Sequence, residues 1–214
     1  MSDTGKKLRD DTVLTHAGRK PRKNKGVVNP PVYHASTILH PTLDELENHN
    51  HKKVRYGRYG TPTTFALEDA VCELERGAGT ILTPSGLSAI TVTFTALTKA
   101  GDHILVTDNS YGPTRTFLDK IHRQFGIEVE YFDPLEGGAI AARLKPNTSL
   151  IWLESPGSQT FEMTDIPAIV SIAKDKGITT AIDNTWAAGY FYKPLDHGVD
   201  VSVQAATKYI VGHS

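Results

Sequence analysis

From Phe65 onward, short runs of aliphatic and β-branched residues alternate with longer stretches in which apolar side chains recur every three or four positions. The runs Thr80–Thr83, His103–Thr107, Ile127–Phe132, Leu150–Leu153, Ile178–Ile182 and Asp200–Val203 predict strands. Between them, Leu87, Ile90, Phe94 and Leu97 keep helical spacing, as do Phe117, Ile121 and Phe125, and then Ile166, Ile169, Val170 and Ala173. Such alternation predicts an α/β fold: a mostly parallel sheet, built by right-handed crossovers, with helices on both faces. In open sheets of this kind ligands bind beyond the carboxyl ends of the strands.

The first 60 residues read differently. They lack sustained periodicity, and Pro21, Pro30, Pro31 and Pro41, followed by Pro62, interrupt any helix that starts. An extended N-terminal arm over 1–60, followed by one domain over 61–214, is predicted.

Composition narrows the function classes. The 214 residues carry 23 basic and 24 acidic side chains for a net charge of −1, and the one basic concentration, Lys6 to Lys25, lies in the punctuated arm. That is a solvated charge run without the interleaved aromatics of a nucleic-acid surface. Cys72 is the only cysteine, so no intrachain disulfide forms. No apolar run approaches the roughly 20 residues of a membrane-spanning helix, and the polar start has no signal-peptide core. A soluble cytoplasmic protein is expected, with neither membrane nor nucleic acid as partner. His49 and His51 are the only close histidine pair among nine, and no Cys/His cluster has zinc spacing, so no metal is expected.

Candidate chemistry gathers on one edge of the predicted sheet. Thr83-Pro84-Ser85-Gly86-Leu87-Ser88-Ala89 follows a strand and opens a helix, whose unpaired amides suit an anion such as phosphate. Ser85 there reads equally as a phosphate donor or a plain helix cap, and the Gly-Lys-Ser/Thr ending of a P-loop is missing. Tyr111, in the loop after the next strand, offers either a stacking face or an ordinary surface ring. Asp183 ends an apolar strand, where it either begins an Asx turn or pairs with a buried cation. Lys208 follows a further strand, and a lysine there either snorkels to solvent or serves as a reactive amine. Together, an amine for the cofactor aldehyde and an acid for the pyridine nitrogen are what a pyridoxal phosphate (PLP) site needs.

These residues also carry a resemblance. Thr207-Lys208-Tyr209-Ile210-Val211-Gly212-His213-Ser214 is similar to the lysine signature of the trans-sulfuration family of fold-type I PLP enzymes, the cystathionine β-lyase/γ-synthase group. Tyr56-Gly57-Arg58-Tyr59-Gly60-Thr61-Pro62-Thr63, Ser85-Gly86-Leu87-Ser88-Ala89, Ser110-Tyr111-Gly112 and Glu154-Ser155-Pro156 match its other motifs in order, from about Asn29 to the last residue. Asn29-Pro30-Pro31-Val32-Tyr33, Glu154-Ser155-Pro156-Gly157-Ser158 and Asp183-Asn184-Thr185-Trp186-Ala187-Ala188-Gly189 resemble the β-lyase branch. The other branches usually carry asparagine at the position of Ser158 and phenylalanine at that of Trp186.

The resemblance implies Lys208 as the Schiff-base lysine and proton-transfer group, Asp183 on the pyridine nitrogen and Tyr111 stacked on the ring and assisting catalysis. Gly86, Leu87 and Thr207, with Ser85, would hold the phosphate. Tyr56 and Arg58 would reach the phosphate of a neighbouring subunit's cofactor, which implies a homo-oligomer, a tetramer built as a dimer of dimers, with the arm against its neighbour. The implied activity is β-elimination of L-cystathionine, an amino-acid thioether, to homocysteine, pyruvate and ammonia in methionine biosynthesis. Alternatives are the γ-synthase, γ-lyase or methionine γ-lyase chemistries, or a non-catalytic relic of the fold. A dinucleotide-binding protein is a weaker reading, because Gly-x-Gly-x-x-Gly after a strand is missing. Two departures stand out. Ala205 occupies a position that is serine in many members, and the chain stops at Ser214, whereas members continue through a C-terminal region that supplies the arginine for the substrate carboxylate. The PLP-binding domain over 61–214 is therefore expected to be incomplete.

Overall fold

The computed structural model describes residues 8–48 and 54–212. The His49/His51 pair and the His213-Ser214 end of the lysine signature lie outside the described residues. Compactness divides the chain into two units, up to Leu82 and from Thr83 onward, so the boundary expected near residue 60 falls inside the first unit.

That first unit is not uniformly extended. It contains α1 (Asp10–His16), a 3-10 turn (Pro21–Asn24), α2 (Leu43–Glu47) and α3 (Pro62–Glu75). Thr61 starts α3 with a reciprocal capping box, its amide donating to Thr64 Oγ1 at 2.8 Å, and Pro62 occupies the first turn, where no amide partner is required. The irregular segment is fastened to α3 by side chains. Thr63 Oγ1 accepts from the Tyr33 amide at 2.8 Å and donates to the Pro31 carbonyl at 2.7 Å. Lys20 pairs with Asp69 at 2.5 Å and Arg76 with Asp10 at 3.2 Å. These ion pairs are solvated, so their net contribution is about 0–1 kcal/mol each.

The second unit is the α/β sheet. Strands β1 (His103–Thr107), β2 (Glu128–Phe132), β3 (Thr148–Glu154), β4 (Thr179–Asp183) and β5 (Val201–Val203) are all parallel, in the order β2-β1-β3-β4-β5. The helices are α4 (Gly86–Leu97), α5 (Gly112–Lys120) and α6 (Ile166–Lys176). Both faces are covered, which explains why the strands read as nearly continuous apolar runs. Ile104, Val106, Leu150, Trp152 and Ala181 pack under Ile90 and Phe94 of α4 and Leu118 of α5. Their neighbours Leu105, Ile151, Leu153 and Ile182 face α6 through Ile166, Ile169, Val170 and Ala173. Phe94 and Trp152 pack at 4.6 Å between ring centroids with their planes tilted by 33°, and both are fully buried.

Two predicted elements differ. Thr80–Thr83 is not a strand: Ile81 is 86% exposed, and without a flanking strand to complete its ladder the run stays irregular. The helix expected through Phe125 stops at Lys120 and continues as a 3-10 turn (His122–Phe125) that leaves Ile121 and Phe125 exposed.

β2 borders the sheet, and charge marks it as an edge. Lys145 reaches Glu128 at 2.8 Å and Glu130 at 3.0 Å, while Arg143 reaches Glu130 at 3.0 Å and Glu136 at 2.5 Å. His103 is buried beneath this network, with Nδ1 2.8 Å from Thr148 Oγ1. Burial, then Lys145, holds its imidazole below the ordinary range against the opposing pull of Glu128 and Glu130. His122, 2.9 Å from Thr98 Oγ1 and between Phe94 and Phe117, is lowered by burial. Both rings bind a proton less readily in the native chain than in the unfolded one. Their contribution to stability is therefore intact above about pH 6.5 and lost as pH falls below it toward the native values. The urea midpoint of wild type minus that of His122→Gln should fall from about pH 7.5 to about pH 5; a difference that stays constant would contradict a buried neutral His122.

Candidate active site

The carboxyl ends of β1, β3, β4 and β5 and the amino end of α4 lie within one unit. The strand order reverses between β1 and β3, the crevice where open sheets of this order bind their ligands. Tyr111 follows β1 as the cap of α5, Glu154 ends β3, Asp183 ends β4, and the turn carrying Lys208 follows β5.

Asp183 is 8% exposed. Burial pushes its carboxyl above the ordinary aspartate range, while hydrogen bonds from Thr185 and then the Lys208 ammonium pull it back. The structure thus brings the predicted acid and amine within electrostatic reach of each other, although 24 residues of chain, 184 to 207, lie between them. The acid begins an Asx turn as well: Asp183 Oδ1 accepts from the Thr185 amide at 3.0 Å. The two sequence readings of Asp183 are therefore compatible.

Thr185 joins the acid to the lysine turn. Its hydroxyl bonds to Asp183 and accepts from the Ala205 amide at 2.8 Å, and the Ala205 carbonyl accepts from the Lys208 amide at 3.0 Å. The Asn184 amide adds a bond to the Val203 carbonyl at 2.8 Å. Lys208 and Thr207 are themselves exposed at the head of this turn.

α4 points its first amides at the same turn. Ser85 caps it, with Oγ accepting from the Ser88 amide at 3.1 Å, so the cap reading of Ser85 is realised. Gly86 is the point of closest approach, since an added Cβ would stand 2.5 Å from Ala205 Cβ. Only a residue without a side chain lets the helix terminus meet the lysine turn. The Gly86 and Leu87 amides, orphaned by helix geometry, lie where an anion is favoured.

The loops after β1 and β3 interlock. Gly157 admits the Asn109 side chain, which would lie 2.0 Å from a Cβ at that position. The Asn109 carbonyl accepts from the Ser158 amide at 2.9 Å, and the Tyr111 amide donates to Glu154 Oε2 at 2.7 Å. The Tyr111 ring remains 39% exposed. Tyr56 and Arg58 belong to the first unit, on an exposed turn where Tyr56 meets Tyr59 edge-on at 5.5 Å.

The profile of the Cys/Met metabolism PLP-dependent enzymes matches residues 11–214. The chain belongs to that family. It is 50% identical over 204 residues to a putative cystathionine beta-lyase of Rhizobium johnstonii, covering 95% of this chain and 51% of that protein. It is 44% identical to cystathionine beta-lyase MetC of Escherichia coli, covering 95% of this chain and 53% of the other. An L-alanine/L-glutamate racemase of Wolbachia pipientis is 42% identical, with 97% and 54% covered. Among solved structures, cystathionine gamma-lyase from Lactobacillus plantarum complexed with L-serine superposes with a TM-score of 0.89 at 34% identity, covering 97% of this chain and 52% of that one. The chain spans about half the length of the curated relatives it matches.

The residues present fit the family's cofactor: a buried acid already in the field of a lysine, a helix terminus closed on the lysine turn, and an aromatic ring on the same edge. Among the described residues no group of His, Cys, Asp and Glu side chains could hold a metal ion, and no helix is long and apolar enough to cross a membrane. Sequence reading missed Glu154 and Thr185 as site members. Both sat in quoted motifs, yet their roles arise from contacts between segments.

Gly86→Ala should destabilise the chain by about 1–3 kcal/mol through overpacking against Ala205. Thr185→Val, which strands the Ala205 amide and removes a bond to Asp183, should cost about 1–3 kcal/mol. Urea unfolding measures both; midpoints equal to wild type would contradict the close approach and the threonine link.

Proposed function

We propose that this chain is the PLP-binding part of a carbon–sulfur lyase that cleaves L-cystathionine by β-elimination to homocysteine, pyruvate and ammonia. The observation that carries the proposal is the buried Asp183 carboxyl set within reach of the Lys208 ammonium. Several relatives at 42–50% identity that bear the cystathionine beta-lyase name support the choice of chemistry.

When bound, PLP supplies an electron sink for the negative charge that develops at the substrate α-carbon. The chain's residues do the rest. Asp183, shielded from water, would keep a proton on the pyridine nitrogen as its counter-ion, and the Thr185 hydroxyl and amide orient its carboxyl and oppose the upward push of burial. Lys208 Nζ would hold the cofactor and, once displaced from it by the substrate amine, would remove the α-proton and return a proton to the departing sulfur. The Gly86 and Leu87 amides and the Thr207 hydroxyl bind the phosphate at the positive end of α4. Ser85 supports them by capping that helix. The Tyr111 ring covers the cofactor and lies where it can assist proton transfer.

Tyr56 and Arg58 act in trans in this reading. The 1–60 arm lies against a neighbouring subunit, and the Arg58 fork makes bidentate contact with the neighbour's cofactor phosphate. A cytoplasmic homotetramer, built as a dimer of dimers, accommodates that exchange twice.

Lys208→Ala should lower pyruvate formation from L-cystathionine by about 10³-fold or more, read by coupled lactate dehydrogenase in the full-length enzyme. A variant retaining wild-type turnover would refute the assignment. Wild-type chain yielding 2-oxobutyrate in place of pyruvate would move the reaction to γ-elimination, and lysine-bound cofactor without turnover of cystathionine, cysteine or cystine would favour the non-catalytic reading.

A further inference from the structure

Glu154 is a second carboxyl at the heart of the site. It ends β3 directly opposite Asp183 of β4 in the parallel register, and its Oε2 accepts from the Tyr111 amide at 2.7 Å. Among the described residues no lysine or arginine pairs with it. Two acids side by side on neighbouring strand ends, partly out of water, repel each other and lower stability. Such a cost is commonly found where a site needs it.

We propose that Glu154 is a positioning residue for the cofactor site, holding the Tyr111 main chain at the start of α5 from the strand end beside Asp183. The proposal rests on the reading that this site takes PLP. Its logic is geometric. Tyr111 sits at the junction of β1 and α5 as the helix cap, with φ −44° and ψ 129°. The Glu154 oxygen is the acceptor that anchors this junction to β3, across the switch point of the sheet. The same side chain is the acidic neighbour that Asp183 meets across the ladder. One residue thereby links the ring-covering tyrosine to the acid that faces the ring nitrogen, and a displacement of either is felt by the other.

The surroundings load both acids. Burial raises Asp183 overall against the Thr185 bonds and the Lys208 ammonium, and the Tyr111 amide is what draws Glu154 down. Burial, and then the Asp183 charge, push Glu154 up to about 8 against that single bond. Both carboxyls of the pair are thus raised above their ordinary ranges, Asp183 by burial and Glu154 by burial and then by Asp183. Among the described residues, the titratable group acting on Glu154 is Asp183 from β4, and Tyr111 of the α5 start meets it through the backbone amide.

The test uses the full chain with Glu154→Gln and Glu154→Ala. Gln keeps an oxygen for the Tyr111 amide but neither titrates nor repels Asp183, whereas Ala removes the anchor as well. Three readouts are followed: PLP affinity by fluorescence quenching, the visible absorption of the lysine-bound cofactor as a function of pH, and urea stability of the PLP-free chain as a function of pH. Native Glu154 binds its proton more tightly than unfolded glutamate. Its contribution is therefore fully present below about pH 4.5 and lost as pH rises through about 8.

Wild-type PLP-free chain should lose stability across that upper range, and the Gln variant should lose distinctly less. Gln should bind PLP within about threefold of wild type with an altered pH dependence of the absorption band. Ala should bind PLP at least about tenfold more weakly, with a shifted band. Variants matching wild type in PLP affinity and in both pH dependences would overturn the positioning role while leaving the PLP reading intact. Wild-type chain that forms no lysine-bound cofactor would overturn the PLP reading, and this proposal with it.

Discussion

A carboxylate at the end of a buried strand is the constraint around which the second unit is arranged. Asp183 lies on the carboxyl edge of β4, 8% exposed, next to Glu154 on β3. An isolated anion there would cost several kcal/mol in lost hydration. Three features oppose that cost without cancelling it: the Thr185 hydroxyl and amide, and the Lys208 ammonium. The turn that brings Lys208 into range is in turn held by the Thr185–Ala205 bond and by the bare face of Gly86. The acid, the lysine turn and the anion-favouring end of α4 therefore depend on one another, and a change at any of them propagates through contacts rather than through sequence.

The doubly covered sheet makes this possible. Its two apolar layers fix strand register, since a one-residue slip would drive Leu105, Ile151 and Ile182 to the wrong side. Register in turn sets Glu154 opposite Asp183 and the β1 loop against the β3 loop. The charged network at β2 closes the edge of the sheet opposite β5, the strand that leads into the lysine turn.

Much of this was legible in the chain itself. Strands β1 to β5 were readable because both faces are apolar, and Asp183, Lys208, Tyr111 and Gly86 each stand at a strand end or helix start, where chemistry collects. Thr80–Thr83 misled because β-branched composition reports how a run would pack, not whether a partner strand exists. Phe125 kept helical spacing from Phe117, yet α5 ends at Lys120 because nothing buries Ile121 or Phe125. Glu154 and Thr185 were illegible as site members for a related reason: one matters through cross-strand register and the other through a bond to a residue twenty positions away. Neither relation leaves a periodic trace.

The central claim is that Asp183 and Lys208 address the same pyridoxal ring. Borohydride reduction of the PLP-loaded full chain, followed by proteolysis and peptide mass mapping, tests it most directly. The account predicts a single pyridoxyl adduct on Lys208, lost from Asp183→Ala at PLP concentrations that saturate wild type. An adduct on another lysine, or labelling of Lys208 unaffected by loss of Asp183, would contradict it.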